Sequence, residues 1–415
     1  MTSGARRIAV TGLGAVSSLG DDMASTWRAA RDGVSGLAVT FIDAGPYGPP
    51  GKDWLVGRVK GDTLAALEKA LDRRIGASLD PFAVFSLKAA FEALTSAGLI
   101  GSPDLAKAAV VFGHGIGGLT TQEKAYERFF GMKNPKVHPL TVPRVMVSAP
   151  SSAIAMTFGI KGPVFAVSSA CSSSGHAICQ GATLIQSGRA DIAIVGGGEA
   201  LITAADMHCW EGIQATTSTA CRPFSLGRDG MVIAEGGASL ILEDWDHAVA
   251  RGAPILAELA GFGMSSDAGH LTQPSLDGAV AAMTQACAQA GVLDARNILI
   301  AAHGTGTPLN DKNEAEAIGV VFGERASSHP VTATKSAHGH LIGATTALQA
   351  AIGVEALREG LAPPILNFEA PDPDCAGLDL VLGRARPIDC GVLMVNSFAF
   401  GGLNTSLVFR AAAEA

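Results

Sequence analysis

The 415-residue sequence has no dense basic block, and a formal charge of −8 with a pI near 5.7 leaves no cationic footprint for nucleic acid. No uncharged run is apolar enough to span a bilayer, because the long alanine-rich segments carry regular polar residues. Low-complexity tracts are missing too. The 51 glycines are scattered among β-branched apolar runs, a pattern of many tight turns rather than of disorder. Seven cysteines, an odd number spread along a long chain, do not make a disulfide framework and point to a reducing compartment, the cytoplasm. The N-terminal MTSGARRIAVTGLGAVSSLGDD lacks the unbroken apolar core of a signal peptide, since Gly12, Gly14, Ser17 and Ser18 interrupt it; it reads as a strand and turn.

Nucleotide fingerprints are also missing. In VTGLGAVSSLG, Ser17 falls where the third glycine of a dinucleotide loop belongs, and FGHGIGGL and IVGGGEA lack the lysine and hydroxyl of a phosphate loop. His338 and His340 could form a metal-ligand pair, but no third ligand follows at metal-site spacing, so no metal is expected.

What the sequence does contain is 48% hydrophobic residues, enough for a full core over this length. Short apolar runs (RIAVTG, AAVVFG, VFAVSS, DIAIVGGG, ILIAAHG, HPVTATKS, VLMVNSF) alternate with alanine-rich helical stretches, which predicts buried, largely parallel sheets covered by helices in an α/β fold. VVFGHGIGG at 110–118 resembles ILIAAHGTGT at 298–307, each an apolar run followed by His-Gly-x-Gly. Two similar halves are implied. The charged, turn-like EDWDHAVARGAPI places their boundary near residue 255, giving halves 1–255 and 256–415.

Chemistry centres on VFAVSSACSSSGHAI. A strand, a turn of small residues and a helix from about Ser172 put Cys171 at a helix N-terminus, where the macrodipole and free amides favour thiolate. Lowering a thiol pKa from about 8.5 to about 7 takes roughly 2 kcal/mol, much of which a helix end can supply. Ser172, Ser173, Ser174 and Gly175 leave backbone amides open in the layout of an oxyanion hole. His303 and His340 stand out among the ten histidines, each after a strand-like run and among glycines and hydroxyls.

Four motifs, SSACSSSGH, RPFSLGRDGMVIAEGGA, HGTGTPLND and TKSAHGHLIGA, make the chain resemble the β-ketoacyl synthases, Cys-His-His condensing enzymes of the thiolase-like superfamily. The resemblance runs from IAVTGLGAVSSLG to NSFAFGGLNTSLVF. It implies a five-layer αβαβα sandwich of two similar halves, usually a homodimer, acting on acyl carrier protein thioesters without a separate cofactor. In that family's terms Cys171 carries the acyl chain, His303 and His340 stabilise the enolate left by decarboxylation of malonyl thioester, and Lys335 shares their pocket. The thioester oxyanion sits against the amides of Cys171 and Phe400. Thr305 and Thr307 correspond to the hydroxyls that bind the pantetheine arm, Phe400 to a gate, and Ile116, Trp210 and Met231 to walls of the acyl tunnel.

Several positions depart from the commoner pattern. Ala399 replaces a glycine, which would stiffen the gate if that position needs positive φ. Gln349 stands where relatives commonly carry a glutamate facing the lysine, so Lys335 should have a lower pKa than in them. CRPFSLGRDGM, NSFAFGG and His338 look closer to nodulation-type or polyene synthases than to the housekeeping enzyme. Lys69, Arg73 and Arg74 form a candidate docking patch for the acidic carrier protein. Alternatives are the active subunit of a heterodimer with a chain-length factor, a degradative thiolase, for which Cys375 and Cys390 lack the glycine-rich surroundings of a second catalytic cysteine, and a cysteine hydrolase.

Overall fold

In the computed structural model, which describes residues 6–45, 48–63, 65, 79–131 and 136–412, two sets of five strands carry the architecture. The first comprises β1 (Ile8–Val16), β2 (Ala109–Gly113), β3 (Val164–Val167), β4 (Ile192–Glu199) and β5 (Gly236–Asp244). The second comprises β6 (Ala257–Ser266), β7 (Leu299–Ala301), β8 (Pro330–Thr332), β9 (Val392–Ala399) and β10 (Leu403–Ala411). Across the sheet the first set runs β1-β5-β4-β2-β3 and the second β6-β10-β9-β7-β8, the same order. Directions match as well: in each set the first two ladders are antiparallel and the next two parallel. The faint repeat in the sequence is therefore the second strand of each set, β2 and β7. A short antiparallel pairing of β1 with β6, Ala9 to Glu258 and Val10 to Ala257, joins the sets.

The expectation of largely parallel sheets is corrected to a mixed arrangement. The runs that become β5, β6 and β10 supply the antiparallel ladders. β10 has no choice of direction, because only Phe400, Gly401 and Gly402 separate it from β9, and a turn that short can only form a hairpin. Both glycines adopt positive φ, 81° and 69°, which lets the chain reverse there.

Helices complete five layers. α1 (Pro81–Ser96) covers the outer face of β1, β5 and β4, and α3 (Leu276–Ala290) covers β6 and β10, with α4 (Pro308–Phe322) packed on α3. Between the sets lie α2 (Ser173–Gln186) and α5 (Thr345–Glu359); α5 touches β5 on one side and β9 on the other. Every α5 residue except Glu355, Arg358 and Glu359 is buried, the signature of a helix surrounded by protein.

The glycines that fail as a nucleotide loop have a packing purpose. A Cβ on Gly12 would come 2.1 Å from the Ala93 carbonyl oxygen, and one on Gly14 2.1 Å from that of Ala89, so β1 lies directly on the backbone of α1. The second set repeats the device, with Gly261 and Gly263 of β6 against the carbonyls of Ala286 and Ala282 in α3, at 2.4 and 2.0 Å. Gly14→Ala and Gly263→Ala should each cost at least about 1–3 kcal/mol, the usual range for overpacking, and denaturant unfolding will show it as a lower midpoint.

Candidate active site

After β3 the chain makes a single 3₁₀ turn, Ala170–Ser172, before α2 begins at Ser173. Ala170 takes φ 49°, a left-handed conformation that a non-glycine residue adopts only when its surroundings hold it. Those surroundings are hydroxyls. Ser173 Oγ lies 2.7 Å from Ala170 O and accepts the Ser169 amide at 2.8 Å, while Ser172 Oγ donates to Leu403 O at 2.7 Å. The Cys171 carbonyl accepts from Ser397 Oγ and Thr346 Oγ1, at 3.1 and 3.3 Å. The nucleophile's turn is thus fastened to β9, β10 and α5 of the second set.

Two expectations about this turn are corrected. The serines serve as ties, and the Ser172 amide is taken by Ser169 O at 3.1 Å; the amides that face the sulfur are those of Cys171 itself and Phe400. Nor does the helix start win the electrostatic contest. Burial among Leu201, Trp210, Met231 and Ile342 pushes the Cys171 thiol up to about 11, against the opposing pull of the Lys335 charge and the two amides. The sulfur rests as a thiol.

His303 follows β7. Its amide and that of Gly304 donate to the two carboxylate oxygens of Glu314 in α4, both at 2.8 Å, which fixes the backbone of the loop. His340 lies between the short helix Lys335–His338 and α5. Its Nδ1 accepts the Ile342 amide at 3.2 Å and lies 2.8 Å from Thr345 Oγ1, so the proton sits on Nε2, which is buried with no hydrogen-bond partner among the described residues. The two imidazoles meet edge to face, with centroids 5.5 Å apart and planes at 82°. The Cys171 sulfur and a nitrogen from each ring lie within 4.8 Å of one another. Burial first, and then the Lys335 charge, hold both rings well below the usual histidine pKa. They are neutral N–H donors at pH 7.

Lys335 is fully buried. Its Nζ donates to Gln349 Oε1 at 2.8 Å and to His303 O, and lies 3.3 Å from His303 Nδ1, so three protons meet three acceptors. That last contact leaves Nε2 of His303 to carry its proton. Burial lowers the lysine to about 8. A cation among Cys171, His303 and His340 would also confront this ammonium, which argues against a metal there. His338 has no ring nitrogen to offer one, since its two nitrogens engage Gly339 O at 2.6 Å and Thr334 Oγ1 at 2.9 Å.

A cavity of about 600 Å³ leads to the sulfur, lined by Cys171, Met231, His303, Thr305, Thr307, His340 and Phe400 among others. The threonine hydroxyls lie 2.8 Å apart. Trp210 does not line this cavity but packs in the same apolar cluster as Cys171 and Met231. Ile116 is 43% exposed and outside that cluster, so in the single chain it walls no tunnel. Ala399 ends β9 with ordinary backbone, the positive φ values falling on Gly401 and Gly402, so its methyl group imposes no stiffening of the kind expected. Lys69, Arg73 and Arg74 lie outside the described residues. Among the described residues no helix is long and apolar enough to cross a membrane.

Residues 5–248 match the family model described as the β-ketoacyl synthase N-terminal domain, and residues 256–369 match that of the C-terminal domain. The chain belongs to the β-ketoacyl synthase family. The synthase is 40% identical over 407 residues to nodulation protein E of Rhizobium meliloti strain 1021, covering 98% of this chain and 99% of that one. It is 36% identical over 414 residues to 3-oxoacyl-[acyl-carrier-protein] synthase 2 of Staphylococcus aureus strain COL, covering 98% of each. Among solved structures it superimposes on the ishigamide ketosynthase/chain length factor with a TM-score of 0.91 at 30% identity, over 99% of this chain and 100% of that one. A β-ketoacyl synthase from Burkholderia phymatum STM815 gives 0.89 at 31%, over 98% and 100%.

Glu314 and Thr345 escape a reading of the sequence alone. Glu314 had a weak signal: with Asp311 it forms an i,i+3 acidic pair just inside α4, and Asp311 likewise accepts backbone amides, from Phe224 at 2.9 Å and from Gly306. In the synthase, Gln349 does face Lys335. Gln349→Glu places a carboxylate beside the ammonium and should raise the Lys335 pKa, moving the alkaline limb of the malonyl-decarboxylation pH profile upward from about 8. An unmoved limb in rate measurements from pH 6 to 10 would count against this assignment.

Proposed function

We propose that Cys171 takes an acyl chain from acyl carrier protein and condenses it with malonyl carrier protein, giving 3-oxoacyl carrier protein and carbon dioxide. One observation carries this reading: a thiol and two neutral imidazoles converge within 4.8 Å at the end of an open cavity. In the first half-reaction the sulfur attacks the acyl thioester carbonyl, whose oxyanion is stabilised by the amides of Cys171 and Phe400, and the thiol proton leaves with the pantetheine sulfur. Malonyl thioester then replaces it. As its C–C bond to carboxylate breaks, the electron pair passes into an enolate, whose oxygen accepts from Nε2–H of His303 and of His340. The enolate carbon attacks the Cys171 thioester, and the expelled thiolate takes up a proton.

Neutral rings suit this role, because they offer hydrogen bonds without neutralising the carbanion that must react. Lys335 serves as a positioning residue, orienting His303 and keeping its Nδ1 an acceptor. Thr305 and Thr307, which line the same cavity, bind the amides of the pantetheine arm in this reading, and that arm brings the only prosthetic group the chemistry needs. All seven cysteines are free thiols, in keeping with a cytoplasmic enzyme. The halves 1–255 and 256–415 supply the nucleophile and the histidines respectively.

The synthase should act as a dimer. β3 is an edge strand with no neighbour on its outer side among the described residues, and Phe91, Met156 and Phe165 are exposed nearby. A second copy can pair there. The likeness to a ketosynthase/chain length factor favours a second reading, in which the partner is a related, non-identical subunit. Gel filtration with mass analysis of the chain expressed alone separates the two: a stable homodimer supports the first, a monomer the second.

Intact-mass analysis after exposure to a panel of acyl carrier proteins should show an acyl increment that Cys171→Ala abolishes. His303→Ala and His340→Ala should keep that increment but lose roughly 10²–10³-fold in carbon dioxide release, the usual effect of removing one oxyanion donor. Acylation that survives in Cys171→Ala, or thioester hydrolysis without carbon dioxide release, would overturn the assignment.

A further inference from the structure

Glu199 ends β4 fully buried, and the chemistry above gives it no role. Its Oε2 accepts the Gly115 amide at 2.6 Å and the Gly343 amide at 2.9 Å, and the Ile116 amide adds to the hold. Its Oε1 is buried with no hydrogen-bond partner among the described residues.

The two turns it ties together flank the reacting groups. Gly115 and Ile116 follow β2 in the loop whose His114 carbonyl accepts Ser173 Oγ at 3.2 Å and whose Gly115 carbonyl accepts Ser168 Oγ at 3.3 Å, on either side of the Cys171 turn. Gly343 belongs to the turn Ile342–Ala344, between His340 and Thr345, and this turn supplies the Ile342 amide that sets the tautomer of His340.

The Cys171 turn and the Ile342–Ala344 turn are under strain. Ala170 has φ 49° and Ile342, a β-branched residue, has φ 42°. Such conformations persist only where neighbours over-determine them; Glu199 holds the Ile342–Ala344 turn directly and the Cys171 turn through the Gly115 loop. The fit is close enough to require glycine on both sides. A Cβ on Gly115 would come 2.7 Å from Glu199 Oε2, and one on Gly343 2.7 Å from the same oxygen and 2.3 Å from the Gly115 nitrogen.

We infer that Glu199 is a positioning residue for condensation: by binding the Gly115–Ile116 and Ile342–Ala344 turns through one oxygen, it fixes the separation between the Cys171 sulfur and Nε2 of His340. This rests on the condensation reading above. Burial pushes the Glu199 carboxyl up to about 7 despite three amides; what both turns take from it is an acceptor oxygen at that reach, Oε2. A glutamine presents the same oxygen, and its amide nitrogen falls where Oε1 has no donor to lose. An aspartate keeps the charge but is one methylene short.

Glu199→Gln, Glu199→Asp and Glu199→Ala would be compared for kcat and KM with malonyl carrier protein, and separately for Cys171 acylation by intact mass. Since a misplacement of about 1 Å can cost roughly 10²-fold, Glu199→Ala and Glu199→Asp should lose at least about tenfold in kcat, while Glu199→Gln stays within about threefold. KM and acylation should stay within about twofold in all three, because the misplaced distance matters only once the enolate forms. The inference is overturned if Glu199→Asp outperforms Glu199→Gln, if all variants keep wild-type kcat, or if acylation falls in step with condensation. Should Glu199→Ala fail to fold, the order of the glutamine and aspartate variants decides. A wild-type protein that is never acylated removes the condensation reading; a condensing wild type with unaffected Glu199 variants removes only this one.

Discussion

The ammonium of Lys335 has been taken entirely out of water, and the state of the site follows from how it is accommodated. A buried cation is costly unless every proton finds an acceptor. Here the acceptors are the His303 carbonyl, Nδ1 of the same ring and the Gln349 side-chain oxygen. Two of the three belong to His303, so solvating the lysine also fixes that ring's tautomer and orientation. The charge in turn discourages protonation of both imidazoles and lowers the cost of a thiolate on Cys171. Lysine, thiol and two histidines form one electrostatic unit in which desolvation is the largest influence on each.

The doubled strand order explains how such a unit is assembled. In each set the third strand leads into a buried helix, β3 through the single turn at Cys171 into α2 and β8 through the short helix at Lys335 and the turn after His340 into α5. The second strand of each set leads into a His-Gly loop, His114 after β2 and His303 after β7. Equivalent positions have diverged in use. His303 faces the reacting sulfur, whereas His114 is closed in by Phe82 and Phe112, with Nδ1 on the Gly198 carbonyl.

What could be read in advance were features with a local signature. The small-residue turn at Cys171, the His-Gly runs and the apolar strands are contiguous in sequence, and the resemblance of four motifs extended them to a site. The misses share the opposite property. The grip of Glu314 on the 303–304 backbone and the bond of Thr345 to His340 are meetings of groups whose proximity depends on the finished fold. β5, β6 and β10 were missed because glycines break the apolar rhythm of GGASLILED and AELAGFGMSS and polar residues that of LNTSLVFRA, although nearly all of the first strand, most of the third and alternate residues along much of the second are buried. The thiol's raised pKa was missed because a helix end is visible in sequence and the depth of burial is not.

Where β1 meets α1 and β6 meets α3, main chain touches main chain with no side chain between them. An interface of that kind offers evolution nothing to exchange. A core of interlocking side chains can drift by paired substitutions, one shrinking as its neighbour grows, but here neither partner has an atom to surrender. The two outer helices are therefore registered on their strands at points that a diverging lineage must keep intact, and variation in acyl preference has to accumulate elsewhere, among the apolar residues around the sulfur and at the cavity mouth.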